Sequence, residues 1–312
     1  MRLCDIENGQ SISGCYLLKQ ASMRSTTTGK PYLSGQLADK TTAVELKVWD
    51  YTGPLGEADQ GKVVCITGRV SEFRGSLQIT ADRIRLAGPE DPYRLSDLVP
   101  TAPVDVNRTL AELEQLLASM EDPHYQAVCR EMLKRHREQF VTIPAAKSVH
   151  HSFLHGLLMH TAYMMKTALF LSRLYGELLD KDLLLAGTFL HDFAKMREFT
   201  LSPAGLVTDY STAGQLLGHL VMGAEEAGQV CRELGVPEEK TMLLQHMILS
   251  HHGSPEFGAA VAPVCAESEL LSYIDMLDSR MEIYRETLEK TEPGSFSDRI
   301  FALDNRRIYR HS

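Results

Sequence analysis

Five histidines and two aspartates are spaced along the second half of the sequence at positions suited to metal binding. They are His160, His191, Asp192, His219, His251, His252 and Asp275. His160, for example, follows Leu157 by three residues and precedes Met164 by four, which places it on the apolar face of a helix. A lone histidine at such a position is usually a hydrogen-bonded core residue. Several of them, joined by two carboxylates from separate stretches, indicate a metal site assembled within a helical bundle.

The adjacent pair His191 and Asp192 closes an apolar stretch that has helical spacing, and Lys195 follows one turn later. A buried carboxylate is costly unless a cation meets it, and a metal shared with His191 would do so. Lys195 lies on the same face as the pair and has two interpretations. It could stabilise charge on a reacting group, or it could simply form an ion pair with Asp192.

These residues need a scaffold, and the chain from residue 109 onward has the pattern of helices. Apolar residues recur with helical spacing over 110–120, 124–140, 150–175, 183–195, 214–234, 238–251 and 267–290. We therefore predict an all-α domain over residues 109–312. A proline-rich stretch over residues 89–108 precedes it and is interpreted as a linker.

Residues 1–88 have the alternation and turn signals of a small all-β barrel. Val44, Leu46 and Val48 are predicted to face one side of a strand and the residues between them the other, and further strands are predicted over 63–70 and 76–80. About five strands in fewer than 90 residues fit an OB-fold, whose open face commonly binds single-stranded nucleic acid. Periodicity by itself does not determine that topology.

Charge and cysteine usage separate the two predicted domains and limit the class of protein. The chain of 312 residues has a net charge of −9, yet residues 1–88 carry 11 Lys and Arg against 9 Asp and Glu, leaving 21 against 32 for the remainder. A slightly basic segment suits a phosphate backbone, and an acidic one suits metal ions. The six cysteines form no C-x-x-C pair, so reduced thiols are expected. Without a readable signal peptide or apolar span, a cytoplasmic protein with no membrane partner is expected.

The order of the histidines and aspartates resembles the H…HD…H…H…D pattern of the HD superfamily of metal-dependent phosphohydrolases. The match is closer still to the YhaM family of bacterial 3′-5′ exoribonucleases, which join an N-terminal OB-fold to an HD domain. Its motifs are PAAKSVHH at 144–151, GQLLGH at 214–219, HMILSHHG at 246–253 with EFG at 256–258, and YIDMLD at 273–278. The resemblance covers nearly the whole chain.

That resemblance implies a metal centre with two divalent ions. One would be held by His160, His191, Asp192 and Asp275, and Asp192 would bridge to a second held by His219 and His251. A mixed shell of imidazoles and carboxylates suits Mn²⁺, Fe²⁺ or Co²⁺ and does not exclude Zn²⁺; the family favours Mn²⁺. Asp192, Lys195 and His252 are the candidate catalytic residues, and His252 could be either a ligand or a substrate contact.

The implied activity is removal of 5′-mononucleotides from the 3′ end of single-stranded RNA, with single-stranded DNA as a second candidate substrate. Cations and aromatic side chains suit an RNA strand because every base can stack. The candidate RNA-binding residues are Lys30, Tyr32, Lys47, Trp49, Arg69, Phe73, Arg74 and Lys147. Two alternatives stay open: hydrolysis of a small nucleotide such as a dNTP, cyclic dinucleotide or alarmone, and a non-catalytic RNA-binding adaptor. Assembly into a homo-oligomer is also open.

Overall fold

The computed structural model describes residues 1–147 and 151–312. The chain forms two compact units: residues 1–101 with 201–206, and residues 102–200 with 207–312. The division between residues 101 and 102 falls within the predicted linker. The assignment of residues 201–206 to the first unit was not anticipated from the sequence.

The first unit contains the predicted five-stranded barrel. Its strands are β1 (Ser11–Ser25), β2 (Pro31–Ala38), β3 (Ala43–Trp49), β4 (Val63–Phe73) and β5 (Ser76–Leu86). They close in the order β1-β2-β3-β5-β4, in which only β3 and β5 run parallel. This closed five-stranded topology is that of an OB-fold. Leu18, Leu33, Leu46, Val64 and Ile79 are fully buried in its core.

Two glycines permit the close strand approaches that curve the barrel. A Cβ at Gly35 would lie 2.2 Å from the carbonyl oxygen of Gln20, and one at Gly68 would lie 2.2 Å from that of Thr80. Each glycine lies beside a register shift, between β1 and β2 and between β4 and β5 respectively. Because bulges bend and twist a strand, these positions allow the sheet to close.

The expectation of reduced cysteines is wrong for one pair. Cys15 on β1 and Cys65 on β4 are directly opposite each other in the antiparallel register and form a disulfide. They are 50 residues apart in sequence, so only the strand pairing brings them together. Cys4, Cys129 and Cys231 are free, as is Cys265.

The second unit is built from helices around one apolar core, preceded by a short helix at the end of the first unit. The helices are α1 (Leu95–Leu98), α2 (Val106–Ala118), α3 (Pro123–Thr142), α4 (Gly156–Leu174), α5 (Lys181–Leu190), α6 (Lys195–Glu198), α7 (Thr212–Leu216), α8 (Gly218–Glu233), α9 (Glu238–Ser250) and α10 (Ala266–Lys290). Helix α5 is the central element, because every residue from Asp182 to Leu190 is buried. The helix predicted over 150–175 corresponds to α4, which begins at Gly156. Residue 150, the first of the predicted range, lies outside the described residues.

The prediction of an all-α domain misses two short hairpins. One pairs β6 (Phe199–Leu201) with β7 (Val207–Tyr210), and the other pairs β8 (Ser295–Phe296) with β9 (Tyr309–Arg310). Strands of two to four residues are too short for an alternating pattern to reveal. Over the described ranges, no helix has the length and apolar character needed to cross a membrane.

Candidate metal centre

Five helices deliver the predicted ligands to one point. His160 lies within α4, His191 and Asp192 directly follow α5, His219 is the second residue of α8, His251 directly follows α9, and Asp275 lies within α10. The four histidines and Asp192 are almost completely buried. The apolar helix α5 thus ends directly before two of the predicted ligands, His191 and Asp192.

The two carboxylate oxygens of Asp192 face different pairs of histidines. Its Oδ1 lies 3.4 Å from Nε2 of His219 and 3.7 Å from Nε2 of His251. Its Oδ2 lies 3.6 Å from Nε2 of His160 and 3.4 Å from Nε2 of His191. We call the first pair the Oδ1 side and the second pair, with Asp275, the Oδ2 side. Asp275 belongs there because its Oδ1 lies 3.4 Å from Nε2 of His160.

The residues of this centre fit divalent cations. Within the described chain, Asp192 Oδ1, His219 Nε2 and His251 Nε2 are buried and have no hydrogen-bond partner. Leaving buried polar atoms unpaired is costly, so these three atoms require a further partner. Each of these atoms offers a lone pair, and all three converge, which is the arrangement that a cation satisfies. On both sides, potential ligand atoms lie within 4.8 Å of one another.

Hydrogen bonds at the opposite ring nitrogen orient the histidines. Nδ1 of His191 donates to the carbonyl of Thr188 at 2.7 Å, and Nδ1 of His251 donates to the carbonyl of Ile248 at 2.7 Å. In both cases the carbonyl belongs to the residue three positions earlier, at the end of a helix. With Nδ1 protonated, the lone pair of the neutral ring is on Nε2, which points into the centre.

Two carboxylates orient the other histidines. Asp278 Oδ2 lies 2.7 Å from Nδ1 of His160, and Glu198 Oε1 lies 3.0 Å from Nδ1 of His219. Asp278 was recognisable from the sequence because it follows Asp275 by one helical turn. Nothing in the sequence singles out Glu198.

The charges around Asp192 keep its carboxylate ionised. Burial opposes ionisation, but Lys195, whose Nζ lies 2.6 Å from Oδ2, and the neighbouring histidines outweigh it and hold the pKa of Asp192 well below its usual value. Burial likewise disfavours the charged form of Lys195, yet Asp192 raises the pKa of its ammonium group. The two groups therefore form an ion pair in which Asp192 is buried and Lys195 is partly buried.

The histidines differ in protonation in the absence of metal. Burial lowers the pKa of His251 to about 3, which keeps the ring neutral. For His160, burial is outweighed by hydrogen bonds to Asp275 and Asp278, which raise its pKa to about 10. A proton on His160 and the Lys195 ammonium thus supply the positive charge on the Oδ2 side, where a cation would otherwise supply it.

The other predicted catalytic residue, His252, joins the Oδ1 side. Its ring centroid is 5.2 Å from that of His219 and 4.4 Å from that of His251. Its Nδ1 is buried without a hydrogen-bond partner among the described residues. His246 is engaged elsewhere, because its Nε2 accepts the backbone N–H of Val264 at 3.1 Å.

The predicted RNA-binding residues of β2, β3 and β4 lie on the outer surface of the barrel. The rings of Tyr32 and Trp49 are in contact, with centroids 4.8 Å apart and planes tilted by 35°, and Trp49 is 49% exposed. Lys47 projects on the same side of β3 as Trp49, but its Nζ bonds Ser34 Oγ at 2.8 Å. Arg69 on β4 is exposed. The opposite side of β3 is buried, as the sequence predicted.

The remaining candidates are more dispersed. Lys30 pairs with Asp50 at 3.2 Å, and the guanidinium of Arg74 lies 5.2 Å from the ring centroid of Phe73 at the turn between β4 and β5. Lys147 belongs to the second unit, where its Nζ lies 3.0 Å from Asp209 Oδ1. Residues 148–150 of the motif at 144–151 lie outside the described residues.

The chain is similar to known proteins along almost its whole length. Residues 157–280 match the HD domain family. The chain is 36% identical over 304 residues to the 3′-5′ exoribonuclease YhaM of Oceanobacillus iheyensis, covering 97% of this chain and 94% of the relative. It is 38% identical over 306 residues to that of Shouchella clausii, with coverage of 97% and 94%. The chain belongs to the YhaM family.

Solved structures similar to this YhaM family member include OB-fold domains. The second OB-fold domain of replication protein A from Methanococcus maripaludis is 17% identical, with a TM-score of 0.22, and covers 30% of this chain and 98% of that domain. An OB domain from Methanosarcina mazei is 23% identical, with a TM-score of 0.24, and covers 30% and 94%.

Proposed function

We propose that this YhaM family member is a metal-dependent 3′-5′ exoribonuclease that releases 5′-mononucleotides from single-stranded RNA. Its curated relatives carry the name of that activity and match it along almost their whole length. Within this proposal, Mn²⁺ is the favoured ion and single-stranded DNA is a second substrate.

The main support for the proposal is that the two carboxylate oxygens of Asp192 face different pairs of histidines. A carboxylate has two oxygens that can each bind a cation, whereas an imidazole nitrogen binds one. The Oδ2 side, with Asp275, would hold one ion, and the Oδ1 side would hold the second. Two such ions would supply a nucleophilic water and neutralise charge on the phosphodiester.

The protein groups around the ions have separate tasks in this proposal. Asp192 holds both sides at a fixed separation, and Lys195 lies beside Asp192 Oδ2 with its positive charge retained. A partly buried ammonium is suited to stabilising the negative charge that develops on a phosphate oxygen. His252, whose Nδ1 is unpaired among the described residues, adds a further polar contact for a ligand or substrate.

The outer face of the barrel would hold the RNA strand. Tyr32 and Trp49 offer an aromatic platform there, and Lys47 and Arg69 add positive charge. Stacking is worth about 1 to 3 kcal/mol per base and tolerates any base. A small nucleotide would gain little from such a face, which favours a polymer as the substrate.

A labelled RNA assay tests the proposal. A 5′-labelled single-stranded RNA is incubated with the full chain and Mn²⁺, and a matched reaction contains a chelator. We expect a descending ladder of products, with mononucleotides as the released species, and no ladder with the chelator. Intact RNA together with turnover of a dNTP or a cyclic dinucleotide would refute the assignment in favour of a small-nucleotide hydrolase. RNA binding with neither reaction would indicate an adaptor.

A further inference from the structure

The two sides of Asp192 are supported in the same way by surrounding groups. On each side, one histidine is held by a neutral backbone carbonyl: His191 by Thr188 and His251 by Ile248. The other histidine on each side is held by a carboxylate. A carboxylate behind a metal-binding imidazole raises the basicity of the ring and sets its orientation.

Glu198 is the carboxylate that contacts the metal-site histidine His219 on the Oδ1 side. Its Oε1 accepts both the backbone N–H and the ring Nδ1–H of His219, each at 3.0 Å. The residue is 6% exposed and lies at the end of α6. A Cβ at Gly214 would meet the Glu198 carbonyl oxygen at 2.4 Å, so this backbone is tightly packed. Glu198 therefore satisfies a backbone N–H in the first turn of α8 and holds the His219 ring through the same oxygen.

Asp278 has the equivalent position on the Oδ2 side. Its Oδ2 lies 2.7 Å from His160 Nδ1 and 2.9 Å from His151 Nε2. It shares α10 with Asp275, so one helix supplies a ligand and the carboxylate behind another ligand. Burial of Asp278 is outweighed by these hydrogen bonds, which lower its pKa to about 2.

We propose that Glu198 and Asp278 are positioning residues that set the affinity of the two metal sites separately, Glu198 through His219 and Asp278 through His160. The inference rests on the two-ion centre of the proposed function. Because each carboxylate contacts a histidine of one side, loss of either should weaken one ion and spare the other. Loss of such an outer partner typically costs about 10- to 100-fold in metal affinity.

The test compares Mn²⁺ binding by the full-length wild type, Glu198→Gln and Asp278→Asn, using calorimetric titration and metal analysis after dialysis. We expect two ions for the wild type. In each variant, we expect one ion to bind at the wild-type affinity and the other about 10- to 100-fold more weakly. Electron paramagnetic resonance should show that the signal of two coupled Mn²⁺ ions gives way to that of an isolated ion.

A control variant and a coupling experiment separate positioning from general damage to the fold. Glu267 is a matched control because it is buried in the same unit and accepts the backbone N–H of Asp180 at 2.6 Å. Glu267→Gln should leave both ions in place. If Glu198 acts through His219, Glu198→Gln should add little to the loss caused by His219→Ala, yet its effect should add to that of Asp278→Asn.

The outcomes distinguish the inference from the proposed function. Loss of both ions in either single variant, unchanged binding in both variants, or an equal loss in Glu267→Gln would overturn the assignment of separate roles. Full additivity of Glu198→Gln with His219→Ala would also overturn it. Two ions in a wild type that degrades no RNA would refute the proposed function and leave the positioning roles intact. A single ion in the wild type would refute the two-ion centre on which both depend.

Discussion

Replacement of Asp192 by asparagine is the sharpest test of the two-ion centre. The change keeps the size of the side chain but replaces one carboxylate oxygen with an amide nitrogen, which has no lone pair for a cation. One side of the centre must therefore lose its shared ligand, whichever way the amide turns. Because the Lys195 ammonium lies 2.6 Å from Oδ2, the amide oxygen should turn towards Lys195. The Oδ1 side, with His219 and His251, is then the side that loses its ligand.

The expected magnitude follows from the role of the ions. Metal ions contribute several kcal/mol to the stabilisation of charge in a hydrolytic transition state, and each 1.36 kcal/mol is worth a factor of ten in rate. We therefore expect the rate of RNA hydrolysis to fall on the order of 10³-fold or more. Mn²⁺ content should fall from two ions to one. RNA affinity should be nearly unchanged, since the aromatic and basic residues proposed to hold the strand, Tyr32, Trp49 and Lys47, lie on the barrel.

The assay combines single-turnover cleavage of a 5′-labelled RNA, metal analysis and fluorescence anisotropy. Asp182→Asn is a matched control, because Asp182 is 5% exposed and accepts the backbone N–H groups of Glu121 and Asp122 at 2.6 Å, away from the centre. It should retain both ions and the wild-type cleavage rate at a temperature below its melting transition. Wild-type activity and two bound ions in a folded Asp192→Asn protein would refute the bridging role.

Four further outcomes are expected. Trp49→Ala should weaken RNA binding by about 1 to 3 kcal/mol without emptying the core, because Trp49 is 49% exposed; unchanged affinity, against Phe170→Ala as an exposed control, would show that RNA does not stack there. Lys195→Met should reduce the rate by about 10²- to 10³-fold with metal content retained, and an unchanged rate would leave Lys195 a structural ion-pair partner. Stripping both ions with a chelator should lower the melting temperature of the helical unit by about 10 to 20 °C, if metal had been present at about 100 times the dissociation constant of each site; calorimetry with and without Mn²⁺ checks this, and an unchanged transition would contradict it. Gly68→Ala should destabilise the barrel by about 1 to 3 kcal/mol in denaturant titrations, because its Cβ would lie 2.2 Å from the Thr80 carbonyl oxygen, and wild-type stability would show that β5 can move away.

Much of the scaffold was predictable because its signals are local. The alternation at Val44, Leu46 and Val48 correctly assigned the buried side of β3. Apolar spacing likewise predicted that His160 and His219 face inward, and both are buried. Such patterns depend only on the period of a strand or a helix, which neighbouring residues express directly. The two hairpins could not be predicted because their strands are too short to show a periodic pattern.

Contacts between residues that are distant in sequence could not be predicted and required the folded structure. The partner of Cys15 depended on the register of β1 against β4. The contact of Glu198 with His219 depended on α6 ending beside the start of α8, 21 residues later. The distribution of histidines between the two oxygens of Asp192 depended on how several helices converge. A sequence shows which side chains can bind a metal, but distances and directions arise from packing among elements that no local pattern relates to one another.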